Sequence, residues 1–249
     1  MFTKEVRMDR LAGQGFYVPD WLLSCFCDNE LDTCTESMRH ILVMNAKGGC
    51  GKSTLATNLA AYYAQEGYST AIADFDPQQT SLDWLKRRPD TYPEITGVPA
   101  FESGLKHLPR TTEYLIIDSP ARAHGSEITD LVKRAETIVI PVLPSPIDMA
   151  ATDRFVEELN QVSRVQKRDV KIGVVANRVR ENTKVFDQLN GYLDAMKRTK
   201  YAAVLREAQN YNRAYARGIG IHELPEYLAW QDWERWDPLL KWLWSKSSQ

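Results

Sequence analysis

Cysteine is scarce in this chain and stops early. Cys25, Cys27, Cys34 and Cys50 are the whole set; they include no C-x-x-C pair and no histidine stands at zinc-finger spacing. The pattern argues against a disulfide framework and a structural zinc site, and leaves free thiols in a reducing compartment as the expectation. Long apolar runs are missing too. No stretch approaches the roughly 18 consecutive apolar residues of a transmembrane helix. The start of the chain lacks a basic stretch followed by an apolar core, so no secretory signal is expected. There is no internal repeat and no low-complexity tract. Net charge is small, with 31 Lys+Arg against 33 Asp+Glu, a formal −2. What is left is 43% hydrophobic and 26% charged over 249 residues. That is the composition of a soluble globular chain long enough to bury a large core, and one large α/β domain is expected rather than two small ones.

The near-neutral total hides a division. Residues 164–217 carry thirteen Lys+Arg against five Asp+Glu, a local +8, while residues 1–163 stand at −8. A basic segment in an otherwise acidic chain suggests a surface facing a polyanion, although solvated helix faces would give the same count. Along the chain, "HILVMNA", "STAIADFD", "EYLIIDSP", "ETIVIPVLPSP", "VKIGVVAN" and "YAAVL" read as strands. Between them "KSTLATNLAAYYAQEG", "TSLDWLKRR", "AATDRFVEELNQVSRVQ" and "TKVFDQLNGYLDAMKR" read as helices, and "REAQNYNRAYAR" follows as another. Such alternation implies βαβ crossovers and a doubly wound, mostly parallel sheet with helices on both faces. Ligands of these sheets bind at the carboxyl ends of the strands. Residues 1–37 fall outside the pattern, which opens afresh at Met38. They are expected to be an N-terminal appendage, with residues 38–249 forming one domain.

The chemistry concentrates in "NAKGGCGKST", residues 45–54. A phosphate-binding loop reads G-x-x-x-x-G-K-[ST]; here Ala46 replaces the first glycine and a second lysine, Lys47, follows it. Gly48, Gly49 and Gly51 let backbone N–H groups turn inward around phosphate oxygens. Lys52 would neutralise the β- and γ-phosphates, Ser53 would offer its hydroxyl to Mg²⁺, and the helix that follows adds its positive end, with Thr54 in its first turn. Cys50, at the variable position, is expected to contribute backbone and to pack as a small hydrophobe.

Lys47 marks the type of loop. K-G-G-C-G-K-S resembles the deviant Walker A sequence K-G-G-x-G-K-[ST] of the ParA/MinD ATPases. "AIADFDPQ" (71–78) resembles that family's D-x-D-P-Q motif, and "LIIDSPA" (115–121) its apolar strand ending in D-x-P. "IPVLPSPID" (140–148) resembles its proline-broken strand end, and "VVANRV" (174–179) the strand carrying an adenine-contacting asparagine. The resemblance runs from residue 38 to about 222. It implies a P-loop NTPase fold and ATP hydrolysis with Mg²⁺. It implies that Lys47 reaches across an ATP-sandwich homodimer to the partner's nucleotide. Asp76 would orient the attacking water, Asp74 and Asp118 would lie near Mg²⁺, and Asn177 would read the adenine edge. "DSPAR" departs from the family by placing Ala121 and Arg122 where many members have a second proline, and Arg122 is given no catalytic role.

The branches of the family differ in partner. An iron–sulfur role is disfavoured because no cysteine follows residue 50. A MinD-like membrane role would need a basic amphipathic tail. In "EYLAWQDWERWDPLLKWLWSKSSQ" Trp230, Trp233, Trp236, Leu240 and Leu243 recur at helical spacing, but the segment is acidic and Pro238 is expected to break or restart the helix. A last helix packed on the sheet is expected. Arg206, Arg213 and Arg217, spaced by seven and four, are expected along one helix face as contacts to DNA phosphates, with Tyr211 and Tyr215 packing beside them. The favoured expectation is a cytoplasmic, nucleoid-associated cargo positioner of the plasmid-partition or carboxysome-spacing type, working with a small adaptor that stimulates hydrolysis. The alternative is a MinD-like membrane-associated ATPase.

Overall fold

The structure, a computed structural model, describes residues 38–180, 183–195 and 200–245. The expectation for residues 1–37 therefore lies outside the described residues. From Arg39 the chain alternates strand and helix: β1 (Arg39–Val43), α1 (Lys52–Gln65), β2 (Thr70–Asp74), α2 (Thr80–Leu85), β3 (Ile95–Val98), α3 (Ala100–Ser103) and β4 (Tyr114–Asp118). It continues with α4 (Ser126–Val132), β5 (Thr137–Val142), α5 (Pro146–Leu159), α6 (Ser163–Gln166), β6 (Lys171–Val179), α7 (Lys184–Ala195), β7 (Lys200–Arg206) and α8 (Gln209–Ala216). A short 3₁₀ turn (Ile221–Glu223) leads into the last helix, α9 (Glu226–Trp244). The seven strands form one sheet in the order β3-β2-β4-β1-β5-β6-β7, and every pairing is parallel.

Consecutive strand residues point to opposite faces, yet every residue of β2 and β4 is buried. Both faces are therefore covered, which only a helical layer on each side can achieve. On one face Leu42, Ala71, Leu115, Ile117, Ile138 and Val174 join Ile128 and Leu131 of α4 and Phe155 and Leu159 of α5. On the other, α1 packs across β1, β2 and β4, and α9 packs on β7. β1 lies between β4 and β5 at the centre, so the loop leaving it opens beside the carboxyl ends of its neighbours, the position where doubly wound sheets bind ligands.

The strand read as "ETIVIPVLPSP", β5, passes through Pro141 as expected but ends at Val142, and the break expected at Pro238 does not occur. Pairing with β1 ends at Val139, so the missing N–H of Pro141 falls past the point where β1 turns away. α9 likewise runs unbroken through Pro238. Its buried face, with Trp233, Trp236, Leu239, Leu240 and Leu243, holds the helix across the missing backbone bond. Trp242 seats over Gly173 of β6, where an added Cβ would come within 2.6 Å of the ring. Trp230, at 47% exposure, is off this buried face.

Candidate functional site

The residue before the loop fixes how it leaves the sheet. Asn45 is buried and donates to Pro141 O at 2.9 Å and to Thr152 Oγ1 at 3.2 Å, while its own Oδ1 accepts from Lys47 N at 3.1 Å. Gly49 and Gly51 have φ of 76° and 98°, left-handed conformations that favour glycine. Lys52 is buried and its ammonium lies across the loop, donating to Lys47 O at 3.2 Å. Cys50 is buried and donates to Lys47 O at 3.1 Å. Burial pushes its thiol pKa up, so it is not an activated thiol. α1 begins with no side-chain cap, which leaves its first N–H groups for an anion.

Asn177, at the end of β6, is buried and donates to Cys50 O at 2.8 Å. The family resemblance assigns this residue to the adenine edge; here its amide braces the loop backbone. A Cβ at Gly51 would come 2.2 Å from Asn177 Nδ2, so glycine is needed for that approach as well as for φ.

Two aspartates end neighbouring strands in register, Asp74 on β2 and Asp118 on β4, and both are completely buried. Asp74 Oδ1 accepts from Asp76 N at 2.9 Å, and Oδ2 accepts from Ser81 N at 2.9 Å and Leu82 N at 3.4 Å. Expected beside Mg²⁺, Asp74 thus has both oxygens engaged by backbone donors and braces the start of α2. Asp118 Oδ2 accepts from Ser81 Oγ at 2.6 Å, while Oδ1 is buried without a partner. Burial pushes the Asp118 pKa up to about 7, with repulsion from Asp74 adding to it and the hydroxyls of Ser81 and Ser53 and the charge of Lys52 opposing it. Asp76, in the following loop, is partly exposed. Its oxygens accept from Gln78 N at 2.8 Å and Ala121 N at 3.2 Å. The departure from the family's proline at residue 121 therefore supplies a donor that proline lacks.

Lys47 sits at the mouth, its side chain 40% exposed, with Nζ 3.9 Å from Asp148 Oδ1. Asp148 belongs to the first turn of α5, whose N-cap Ser145 accepts from Asp148 N at 3.1 Å. The sequence motifs contain Asp148 and Ser119 without giving either a role, and they leave out Ser81. A signal for Asp148 exists in the S-P-I-D capping pattern; no local signal points to Ser81.

These residues fit a triphosphate with a divalent cation. Asp118 Oδ1 and Ser119 Oγ are buried without a hydrogen-bond partner, and Asp148 Oδ1 has only the 3.9 Å ion pair to Lys47; such atoms are the kind a bound polar ligand or its water shell satisfies. Among the described residues no group of three or more His, Cys, Asp or Glu is placed to hold a metal. A cation at Ser53 would take most of its ligands from phosphate and water, as Mg²⁺ does.

The three arginines do not share a helix. α8 starts at Gln209, and Arg206 is the last residue of β7. Its Nε lies 2.5 Å from Oδ1 of the fully buried Asp232, a pairing that fixes it inside the fold. Arg213 and Arg217 are exposed, four residues apart at the end of α8. Both tyrosines are engaged: Tyr211 OH accepts from Trp236 Nε1 at 3.0 Å, and Tyr215 OH donates to Thr80 O at 3.1 Å.

Residues 41–221 match the family described as the CobQ/CobB/MinD/ParA nucleotide binding domain. Maintenance of carboxysome distribution protein A from Halothiobacillus neapolitanus is 25% identical over 194 residues, 74% of this chain and 87% of the relative. The Cyanothece McdA–ATP complex matches with a TM-score of 0.65 at 17% identity, over 84% of this chain and 98% of that one. The septum site-determining protein MinD of Pyrococcus horikoshii, complexed with Mg-ADP, matches at 0.61 and 17% identity, over 80% and 94%. At these identities the solved structures speak for the fold alone.

Proposed function

The chain belongs to the CobQ/CobB/MinD/ParA nucleotide-binding family, and from that membership we propose that it is an ATPase that dimerises around ATP. In this reading it binds nucleoid DNA without sequence preference and positions or partitions a large cargo, such as a plasmid, a chromosome region or a protein body like a carboxysome. One observation carries the reading. The two loop lysines are placed differently: Lys52 is buried inside the loop, while Lys47 is 40% exposed at its mouth. A buried lysine serves its own subunit's phosphates. An exposed one, held by a loose 3.9 Å ion pair to Asp148, can be delivered to a partner's nucleotide, so that charge neutralisation waits for assembly.

The chain's own groups divide the work. Backbone N–H groups of Gly49, Cys50, Gly51, Lys52 and Ser53, with Thr54 behind them, cradle the phosphates. Mg²⁺, when bound at Ser53, screens the charge of the β- and γ-phosphates. Asp118 accepts from its water shell. Asp76, held by Gln78 N and Ala121 N, orients the attacking water. Arg213 and Arg217 meet DNA phosphates, and a two-fold dimer presents them twice. An adaptor on the cargo raises hydrolysis, releases the ATPase locally and draws the cargo toward more of it. The relationship to a carboxysome-distribution protein supports a positioning role. The MinD-like alternative is weaker, because the apolar face of α9 is buried on the sheet.

Light scattering tests the dimer. With MgATP, Asp76→Ala should run at twice the monomer mass, because hydrolysis no longer releases it. Lys47→Ala should stay monomeric and turn over more slowly. A monomeric Asp76→Ala at saturating ATP, or a Lys47→Ala protein that dimerises as wild type does, would refute the sandwich.

A further inference from the structure

Ser81 is completely buried and donates to two different carboxylates. Its backbone N–H goes to Asp74 Oδ2 at 2.9 Å and its hydroxyl to Asp118 Oδ2 at 2.6 Å. Asp74 and Asp118 lie side by side at the ends of β2 and β4, so without donors between them their charges would oppose each other at short range. Asp74 is fully engaged: backbone N–H groups of Asp76, Ser81 and Leu82 take both its oxygens. Asp118 is half engaged. The Ser81 hydroxyl holds one oxygen, and the other is buried without any partner.

We propose that Ser81 is a positioning residue for the cation site: its hydroxyl fixes the rotation of the Asp118 carboxylate so that the unpartnered oxygen is presented to the shell of a Mg²⁺ held at Ser53. The proposal rests on the MgATP reading above and deepens it. A carboxylate end group has a broad torsional well, so one fixed oxygen determines where the other points. The 2.6 Å hydroxyl bond is in the range of a charge-assisted one. The hydroxyl of Ser53 and the charge of Lys52 both act on the same carboxylate, which places it beside the loop residue expected to bind the cation. Ser81 is also tied to Asp76, because Asp74 accepts from the N–H of both residues. The loop carrying the water-orienting aspartate and the carboxylate facing the cation are thereby set by one serine.

The test is titration of the full chain with a fluorescent ATP analogue, once with Mg²⁺ and once with EDTA, alongside thermal melting. Wild type should bind more tightly with Mg²⁺. In Ser81→Ala the EDTA affinity should be unchanged while the Mg²⁺ gain falls about tenfold, the scale of one charge-assisted hydrogen bond. Ser81→Thr, which keeps the hydroxyl, should recover the gain. Should the alanine variant melt early, Ser81→Cys keeps the volume with a weak donor and should show the same loss. An unchanged Mg²⁺ gain in Ser81→Ala or Ser81→Cys would overturn the proposal. So would an equal loss with and without Mg²⁺, which would make Ser81 only a brace for α2. A wild-type chain with no Mg²⁺ gain at all would instead sink the MgATP reading, and this one with it.

Discussion

At Gly51 two constraints meet in one position: φ of 98° and a Cβ site 2.2 Å from Asn177 Nδ2. Gly51→Ala should therefore distort the loop without unfolding the sheet. ATP affinity by calorimetry should fall at least tenfold, at the scale of a strained left-handed residue, with circular dichroism unchanged; undiminished affinity would mean that the loop absorbs the methyl group. Such glycines are legible in sequence because phosphate dictates their spacing. Ser81 is not, because its role exists only where separate strands and helices meet, and for Asp148 the capping pattern marks the helix start but not the pairing with Lys47. His222 is another residue that only the fold explains. Its ring packs among Tyr62, Trp233 and Trp236, both ring nitrogens are buried without a partner, and burial holds its pKa down at about 3. The unfolded ring has a pKa of about 6.5. Below that value the unfolded chain gains a proton that the fold refuses, so this group lowers stability as pH falls from about 6.5 toward 3. Glu66 and Asp118, raised by burial to about 7, work the other way, since the fold takes up their protons first as pH falls through 7. Comparison with His222→Phe isolates the histidine. In urea unfolding, wild type should lose about 2 kcal/mol relative to the variant between pH 7 and pH 5; a constant difference would show that the ring protonates in place.

At the scale of elements, α2 is joined to the chain after α8 by groups far apart in sequence. Trp84 donates to Ile219 O at 3.2 Å, and Arg88 meets Glu223 through two bonds of 3.0 and 2.6 Å. Arg88 also donates to Gly218 O at 3.3 Å. The ion pair is only 5% and 1% exposed, so removing one partner leaves a buried charge. Arg88→Ala or Glu223→Ala should cost about 3–5 kcal/mol in denaturant unfolding, whereas an apolar pair at both positions should cost much less. Equal losses in the single and double variants would show that the residues do not act as a pair. None of this is legible in the sequence. The central strands are, because burial on both faces makes them apolar end to end. The edge strand β3, with Thr96 half-buried and Gly97 exposed in its middle, and the short helices α3 and α4 carry no such pattern. The spacing of Arg206 from Arg213 suits a helix; the chain instead ends β7 at Arg206, since Asp232 of α9 supplies a buried partner. At the start of α5, "PSPID" reads as a broken strand until Ser145 is seen capping the helix.

For the whole molecule the question is where the basic segment can act. Much of its charge is engaged by other groups of the chain, some of it at the surface. Lys171 is buried along its stem and donates to Ser245 O at 2.8 Å at the end of α9. Arg164 donates to Lys133 O at 2.7 Å, Arg178 and Arg180 share Glu207, and Arg206 is held by Asp232. Arg213 and Arg217 are exposed and, among the described residues, form no ion pair, which makes them the stronger candidates for meeting phosphates. They also sit on a helix linked to the nucleotide end of the sheet. Tyr215 of α8 donates to Thr80 O at the start of α2, directly after the loop that carries Asp76. A dimer would present the arginine pair twice. Changing Arg213 and Arg217 to Glu together should abolish ATP-dependent binding to random duplex DNA, read by fluorescence anisotropy, while leaving ATP affinity as it was. Replacing either arginine singly by Ala should weaken binding equally across sequences and lower the slope of log affinity against log salt by about 1 for each phosphate no longer neutralised. Wild type that ignores DNA with ATP present but sediments with anionic vesicles would reverse the choice between nucleoid and membrane. An unchanged salt slope in the single variants would move the DNA-facing surface away from α8.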